Sequence, residues 1–277
     1  MRNIKRIIST TLISIILSSS FSYANFEKGI NFKTTENTNL YYYKNDKVLM
    51  NDIFTIEMKK INEETEFFKS EISYPKLKIK NKYLDEKDIN VDIIKNINKE
   101  IYNYMTSFNN KIKEESNGYK KQYEDIFSKV KNQYFKYQYE AYSDYQVTYN
   151  KNNLISIPIQ LYEFTGGAHG MSYLKTFNYN LLTGKEIKLK DVFKEDVNYK
   201  EIVNNYIKEE ISKNKDIYFS GEEGFKGISD NQDFYIDNDG IVVYFGLYDI
   251  APYYVGIPKF KMTWDKFRRY FENCKNV

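Results

Sequence analysis

Along this chain the spacing of apolar and polar residues changes period several times, and each change predicts an element. Ile53 to Met58 alternates weakly and predicts a short strand. Phe67 to Lys80 alternates at both ends and predicts a longer one, with Pro75 placing it at an edge or a bulge. From Asp88 to Glu115 the apolar positions Ile94, Ile97, Ile101, Met105, Phe108 and Ile112 fall three or four apart, which is one face of a helix. Gly118 interrupts this face, and Tyr119, Tyr123, Ile126, Phe127 and Val130 resume it. One bent helix or two consecutive helices satisfy that spacing.

Period two returns over Tyr134 to Tyr149, with Phe135, Tyr137, Tyr139 and Ala141 on one side. A turn through Asn150-Lys151-Asn152-Asn153 then leads into a strand from Leu154 to Tyr162, and Tyr173 to Leu181 predicts another. Leu182-Thr183-Gly184-Lys185 is a tight-turn signature ahead of a short strand, Glu186 to Leu189. Tyr199 to Ile211 is helical, with Ile202, Val203, Tyr206, Ile207 and Ile211 on one face. Ser220 to Asn231 reads as a glycine-rich mobile loop. Phe234 to Ile236 and Ile241 to Phe245, joined through Asp237-Asn238-Asp239-Gly240, form the clearest hairpin. Tyr253 to Val255 reads as an aromatic strand, and Thr263 as the cap of a last helix carrying Trp264, Phe267 and Phe271. Helices and strands alternate irregularly, mostly through hairpins. The expected fold class is therefore α+β, with antiparallel sheets packed against helices in two consecutive subdomains.

The amino terminus departs from this patterning. Arg2, Lys5 and Arg6 precede an apolar run from Ile7 to Leu17, then Ser18-Ser19-Ser20 and a small-x-small site at Ser22-Tyr23-Ala24. That order is an export signal over residues 1–24, too short and too rich in Ser and Thr for a bilayer span. The exported chain is expected to start near Asn25, with a polar lead-in to Asn39 and a strand, turn and strand over Leu40–Tyr43 and Val48–Met50. No cysteine stands directly after the cleavage site, so no lipoprotein anchor and no stable membrane anchor is expected. Removing the signal also removes the excess of positive charge, since the nominal +3 comes from its three basic residues. A near-neutral protein gives no electrostatic reason to expect nucleic acid or anionic lipid as partner. Cys274 is the only cysteine, so no internal disulfide supports the fold. The 28 tyrosines agree with a codon bias, although those at 41–43 and through 134–149 also suit a platform for glycan or protein.

The candidate chemistry concentrates in Thr165-Gly166-Gly167-Ala168-His169-Gly170. Glycines so close together suit positive φ or close approach rather than the interior of an element. The only histidine of the chain lies among them. A hydrolase would use His169 as base with Glu163 or Asp191 as the orienting acid; a structural turn would use it for packing. No nucleophile elbow is present in the sequence, and Ser172 is the local hydroxyl. One histidine and one cysteine cannot build a zinc site, and Asp237-Asn238-Asp239-Gly240 does not align with a calcium loop, so no metal is expected. No phosphate-cradling or dinucleotide fingerprint occurs, so no cofactor is expected.

Tyr162 to Gly170, Phe177-Asn178-Tyr179, Thr183-Gly184-Lys185, Leu189-Lys190-Asp191-Val192-Phe193, the hairpin Phe234 to Phe245, Tyr248-Asp249-Ile250-Ala251-Pro252-Tyr253 and Gly256-Ile257-Pro258 occur in that order. On these residues the second half resembles the extracellular RsiV-like domain. Ile72-Ser73-Tyr74-Pro75 and the following helix are similar to the domain that precedes it, also found beside deacetylases of the PdaC type. The resemblance implies an N-terminal α+β domain over 25–160 and an RsiV-like domain over 161–277. The candidate binding residues are Gly166, Gly167, His169, Gly170, Tyr248 and Tyr253, on loops around the sheet edges with the glycine turn fixing loop shape. The protein is expected to be secreted and envelope-associated, and to bind a protein or a peptidoglycan-derived glycan, with a lysozyme-type muramidase as first candidate. The sigma-factor signalling and deacetylase chemistry of the relatives are not expected to carry over.

Overall fold

A computed structural model describes residues 54–80, 90–127 and 136–271. The fold is α+β, with one six-stranded and one three-stranded sheet, each packed against a helix. The export signal, the lead-in, the strands expected over 40–50, Phe135 and Cys274 all lie outside the described residues.

The first sheet begins with two long antiparallel strands, β1 (Phe54–Glu64) and β2 (Phe68–Ile79). Thr65 makes their turn, its hydroxyl accepting from the Phe68 amide at 3.0 Å. A single helix, α1 (Val91–Phe127), follows. Gly118 does not break it, because the position is exposed and no neighbour crowds it. The predicted stripe of Ile94, Ile97, Ile101, Met105 and Ile112 is buried on the sheet, with Phe108 packed at its margin. Because α1 crosses the sheet, the next strand, β3 (Tyr139–Tyr145), returns parallel to β2 and pairs with it over Phe68–Ile72. This is the one departure from antiparallel pairing. Past Ile72 the edge of β2 is open toward α1, and Asn98 fills the gap. Its side-chain amide accepts from Leu77 N and donates to Leu77 O, both at 2.8 Å. Pro75 sits in this stretch, where β1 is the only strand paired with β2 and no ladder bond is needed on the other side.

Three more strands complete the sheet: β4 (Tyr149–Lys151), β5 (Leu154–Phe164) and β6 (Met171–Asn180). β3 and β4 lie along the same side of β5. Between them Gln146–Thr148 oppose only Ile157 and Pro158, a one-residue bulge beside a proline that has no amide to donate. The β4–β5 hairpin turns on Asn152 and Asn153, at φ of 52° and 62°, the left-handed pair required by a two-residue turn. β6 pairs with β5 along its whole length. The first sheet therefore runs to Asn180, and the division expected after residue 160 falls inside β5. The turn at 182–185 forms as expected, with Gly184 at φ 70°. The short strand after it does not, and only a single bridge joins Glu186 to Tyr179.

The second unit contains α2 (Tyr199–Lys213), capped by Asn198, and the antiparallel strands β7 (Phe234–Asp237), β8 (Gly240–Tyr244) and β9 (Lys259–Thr263). The β7–β8 hairpin is the one the sequence predicts. Its Gly240 lies against β9, where a Cβ would come within 2.1 Å of Met262 O. The segment Tyr253–Val255 is not a strand. Pro252 before it and Gly256 after it, at φ 77°, confine three residues to one 3₁₀ turn. A four-residue helix, α3 (Trp264–Phe267), is the last helix described; Thr263 precedes it without a side-chain cap bond, and Phe271, expected on it, lies past its end in a bridge to Phe193. Val203, Ile207, Ile236, Ile241, Val243 and Met262 are fully buried in this core. Tyr149 and Leu154 from the β4–β5 hairpin belong to the same core, so the first sheet inserts into the second unit.

The two units also share a buried polar seam. Ser156 and Asn178 point from neighbouring strands away from α1, and the serine hydroxyl donates to the amide oxygen at 2.6 Å. Ser156 Oγ then accepts from Ile236 N at 2.9 Å, and Asn178 Nδ2 donates to Phe234 O at 2.9 Å. From the bulge, Thr148 Oγ1 donates to Ile236 O at 2.6 Å. Side chains of one sheet thus satisfy the free edge of β7 in the other. Beside them the Tyr244 hydroxyl donates to Leu174 O at 3.1 Å and lies 2.9 Å from Thr176 Oγ1. Burial holds that phenol well above its ordinary pKa.

Candidate functional site

The glycine turn joins β5 to β6 at the end of the first sheet. Gly166 and Gly167 both adopt φ of 91°, which a side chain rarely tolerates. At Gly166 a Cβ would press on the Tyr137 ring at 3.3 Å. Gly170 is required for a different reason. A Cβ there would lie 2.4 Å from the Tyr162 ring and 2.5 Å from Glu163 O, so the turn closes directly over Tyr162. Tyr162 is 4% exposed and packs with Tyr142 and Phe164, and burial raises its pKa.

His169 is held at this turn by two contacts. Its Nδ1 lies 3.0 Å from Gly170 O, so that nitrogen carries the proton when the bond forms. Its ring stacks on Tyr253 with 4.1 Å between centroids and 27° between planes. Tyr253 comes from the β8–β9 loop, and its hydroxyl donates to the same Gly170 carbonyl at 2.9 Å. Burial, then the neighbouring Tyr248, raises the Tyr253 pKa. Tyr248 extends the group, 5.8 Å from Tyr253 between centroids, and its backbone sits at φ 67°. A bulky residue in that left-handed region is an outlier, stabilised here by its surroundings. Asp249 supplies part of that support by accepting from Gly246 N at 2.6 Å. Ile250 and Ala251 anchor the loop in the core, and Ile250 O accepts from Phe219 N at 2.9 Å.

The six residues named as a binding surface are therefore brought together, four from the glycine turn and two from a loop nearly eighty positions away. The acids named beside His169 in the hydrolase reading are not. Glu163 neighbours Tyr162 on β5 and so faces the other side of the sheet. There its carboxylate pairs with Lys111 of α1 at 3.2 Å and accepts from the Tyr173 hydroxyl at 2.9 Å. That phenol is pushed up to about 12, first by burial and then by the bond to Glu163. Asp191 caps its own 3₁₀ turn by accepting from Lys188 N at 2.9 Å. Among the described residues no carboxylate or hydroxyl of a serine hydrogen-bonds to His169. No three metal-ligating side chains cluster there either, and no helix is long and apolar enough to cross a membrane.

Sequence reasoning missed Tyr254, which is 72% exposed in the same loop as Tyr248 and Tyr253. Reading Tyr253–Val255 as a strand hid it, although Pro252 and Gly256 already marked a turn. Nothing in the sequence signals the left-handed backbone of Tyr248.

Two family models match this chain. Residues 61–172 match the one described as Deacetylase PdaC, and residues 190–265 match the one described as Protein of unknown function (DUF3298). Among curated proteins, the peptidoglycan-N-acetylmuramic acid deacetylase PdaC of Bacillus subtilis (strain 168) is 33% identical over 117 residues. That is 41% of this chain and 25% of the relative, so the chain spans a quarter of that protein's length. Among solved structures, a DUF3298 family member from Bacteroides fragilis superposes with a TM-score of 0.54 at 23% identity. The match covers 79% of this chain and 94% of that one, and establishes a shared fold. A DUF3298 family protein from Pseudomonas aeruginosa gives 0.49 at 16% identity, covering 80% and 96%.

Proposed function

We propose that the protein is an exported, non-enzymatic binding protein of the cell envelope, whose ligand contact is the aromatic surface around the glycine turn. Its first candidate ligand is a lysozyme-type muramidase, as expected for a chain that resembles the RsiV-like ectodomains. One observation carries the reading. Tyr253 and Tyr248 reach the His169 turn from a second loop and present rigid aromatic surface, while the acids a hydrolase would need are engaged elsewhere. Tyrosine supplies contact area at small entropic cost, and rigid loops lower the cost of binding further. The match to a peptidoglycan deacetylase over residues 61–172 supports a place at the cell wall.

Calorimetric titration of lysozyme into the chain from Asn25 onward, at moderate salt, tests this. Saturable one-to-one heat is expected. His169→Ala should leave that binding largely intact, because the imidazole acts as packing. Turnover of wall glycan that disappears in His169→Ala would replace this reading with the hydrolase.

A further inference from the structure

The loop between β8 and β9 shows more tyrosine to solvent than its packing requires. Tyr248 is 47% and Tyr254 is 72% exposed, although Ile250 and Ala251 between them are buried. Tyr248 is also held in a backbone conformation that disfavours any residue with a Cβ, and a glycine there would be free of strain. A strained and exposed aromatic residue next to a stacked pair of rings is a surface suited to contact. Its charge narrows the partner. Among the described residues no cation–π contact is made to Tyr248, Tyr253 or Tyr254, so the outer ring faces of Tyr248 and Tyr254 remain open to a ligand. The nearest acid in the loop, Asp249, is occupied with Gly246 N. The Tyr253 hydroxyl already donates to Gly170 O, whereas the exposed Tyr248 and Tyr254 carry phenols able to donate and accept beside aromatic faces that attract C–H edges.

We infer that Tyr248 and Tyr254, held on either side of the His169-stacked Tyr253, form a subsite for an uncharged pyranose ring of a glycan, stacked on the two exposed rings and hydrogen-bonded by their hydroxyls. The inference rests on the binding role proposed above and names a ligand class for that surface. The subsite lies beside His169 but uses the loop rather than the imidazole. A sugar ring covers one or two tyrosine faces, so its affinity alone is weak and grows with oligosaccharide length as successive rings engage.

The probe is a soluble tetramer of N-acetylglucosamine, titrated into the chain from Asn25 onward and followed by calorimetry and tyrosine fluorescence. Saturable binding is expected, with at least a tenfold loss in Tyr254→Ala and in Tyr248→Gly, about the loss of one good contact. Tyr248→Gly removes the ring without straining the backbone, and thermal unfolding of both variants separates lost contact from lost fold. Lysozyme is titrated into the same proteins. Tetramer binding that survives both substitutions in folded protein overturns the placement of the subsite. Absence of tetramer binding while lysozyme binds, and weakens in the same variants, overturns the sugar assignment and leaves the loop as a protein contact. Absence of both overturns this inference together with the proposed function.

Discussion

The two faces of the first sheet are held by different physics. On one, α1 lays Ile97, Ile101, Met105 and Ile112 over Ile72, Ile155, Ile157 and Ile159, an apolar layer that excludes water. On the other, Ser156, Asn178 and Thr148 meet the bare edge of β7 with individual hydrogen bonds. Burial of apolar area is tolerant of small shifts, whereas hydrogen bonds demand register. The first face therefore supplies stability, and the second fixes where the small sheet sits and so where Tyr253 meets His169.

Substitutions on the two faces should separate these roles. Ile101→Ala leaves a cavity under α1 and is expected to cost about 2–5 kcal/mol in chemical denaturation, with the His169–Tyr253 stack intact in the folded fraction. A loss below about 1 kcal/mol would mean the helix layer is not the main source of stability. Asn178→Ala leaves Phe234 O and one side of Ser156 without partners and should cost about 1–3 kcal/mol. Unlike the cavity variant, it should also change amide exchange along β7, where Ile236 N is satisfied only through this network. Unchanged exchange there would show that apolar contacts alone position the second unit. Gly184→Ala places a side chain at φ 70° and against Ile93 of α1 at 3.2 Å, at the margin of the first layer, and should cost about 1 kcal/mol in thermal unfolding. His169→Ala removes one stacked ring at the rim and should shift stability by no more than about 0.5 kcal/mol. A much larger loss would make the imidazole a structural keystone.

Elements whose signal is local were legible in the sequence. The spacing of isoleucines along α1, the Asn152–Asn153 turn and the 234–245 hairpin each specify themselves within a few residues. The parallel pairing of β2 with β3 was not legible, because it is set by a helix crossing the sheet rather than by either strand's pattern. Leu154 to Tyr162 and Tyr173 to Leu181 read as strands flanking a glycine turn, and their ladder joins them as neighbours in the first sheet. For the site, residues could be listed but not assembled. His169 stood out through its glycines, yet the contact with Tyr253 depends on where the seam puts the second unit. Ser156 and Asn178 look like ordinary polar positions on strands, and their burial becomes visible only once β7 is docked on them.

The capped edge of β7 has a consequence for how this protein can be divided. The match to the PdaC model ends at residue 172, two residues into β6, and the DUF3298 match starts at residue 190. A chain cut where the first match ends would sever β6, and one cut between Asn180 and residue 190 would take Thr148, Ser156 and Asn178 away from the edge they cover. The trailing half would then carry β7 as a bare template for pairing with other molecules, while the leading half would expose Leu154 and Tyr149. The two matched regions are here obliged to fold jointly, and expression of either alone should yield aggregate rather than a soluble domain.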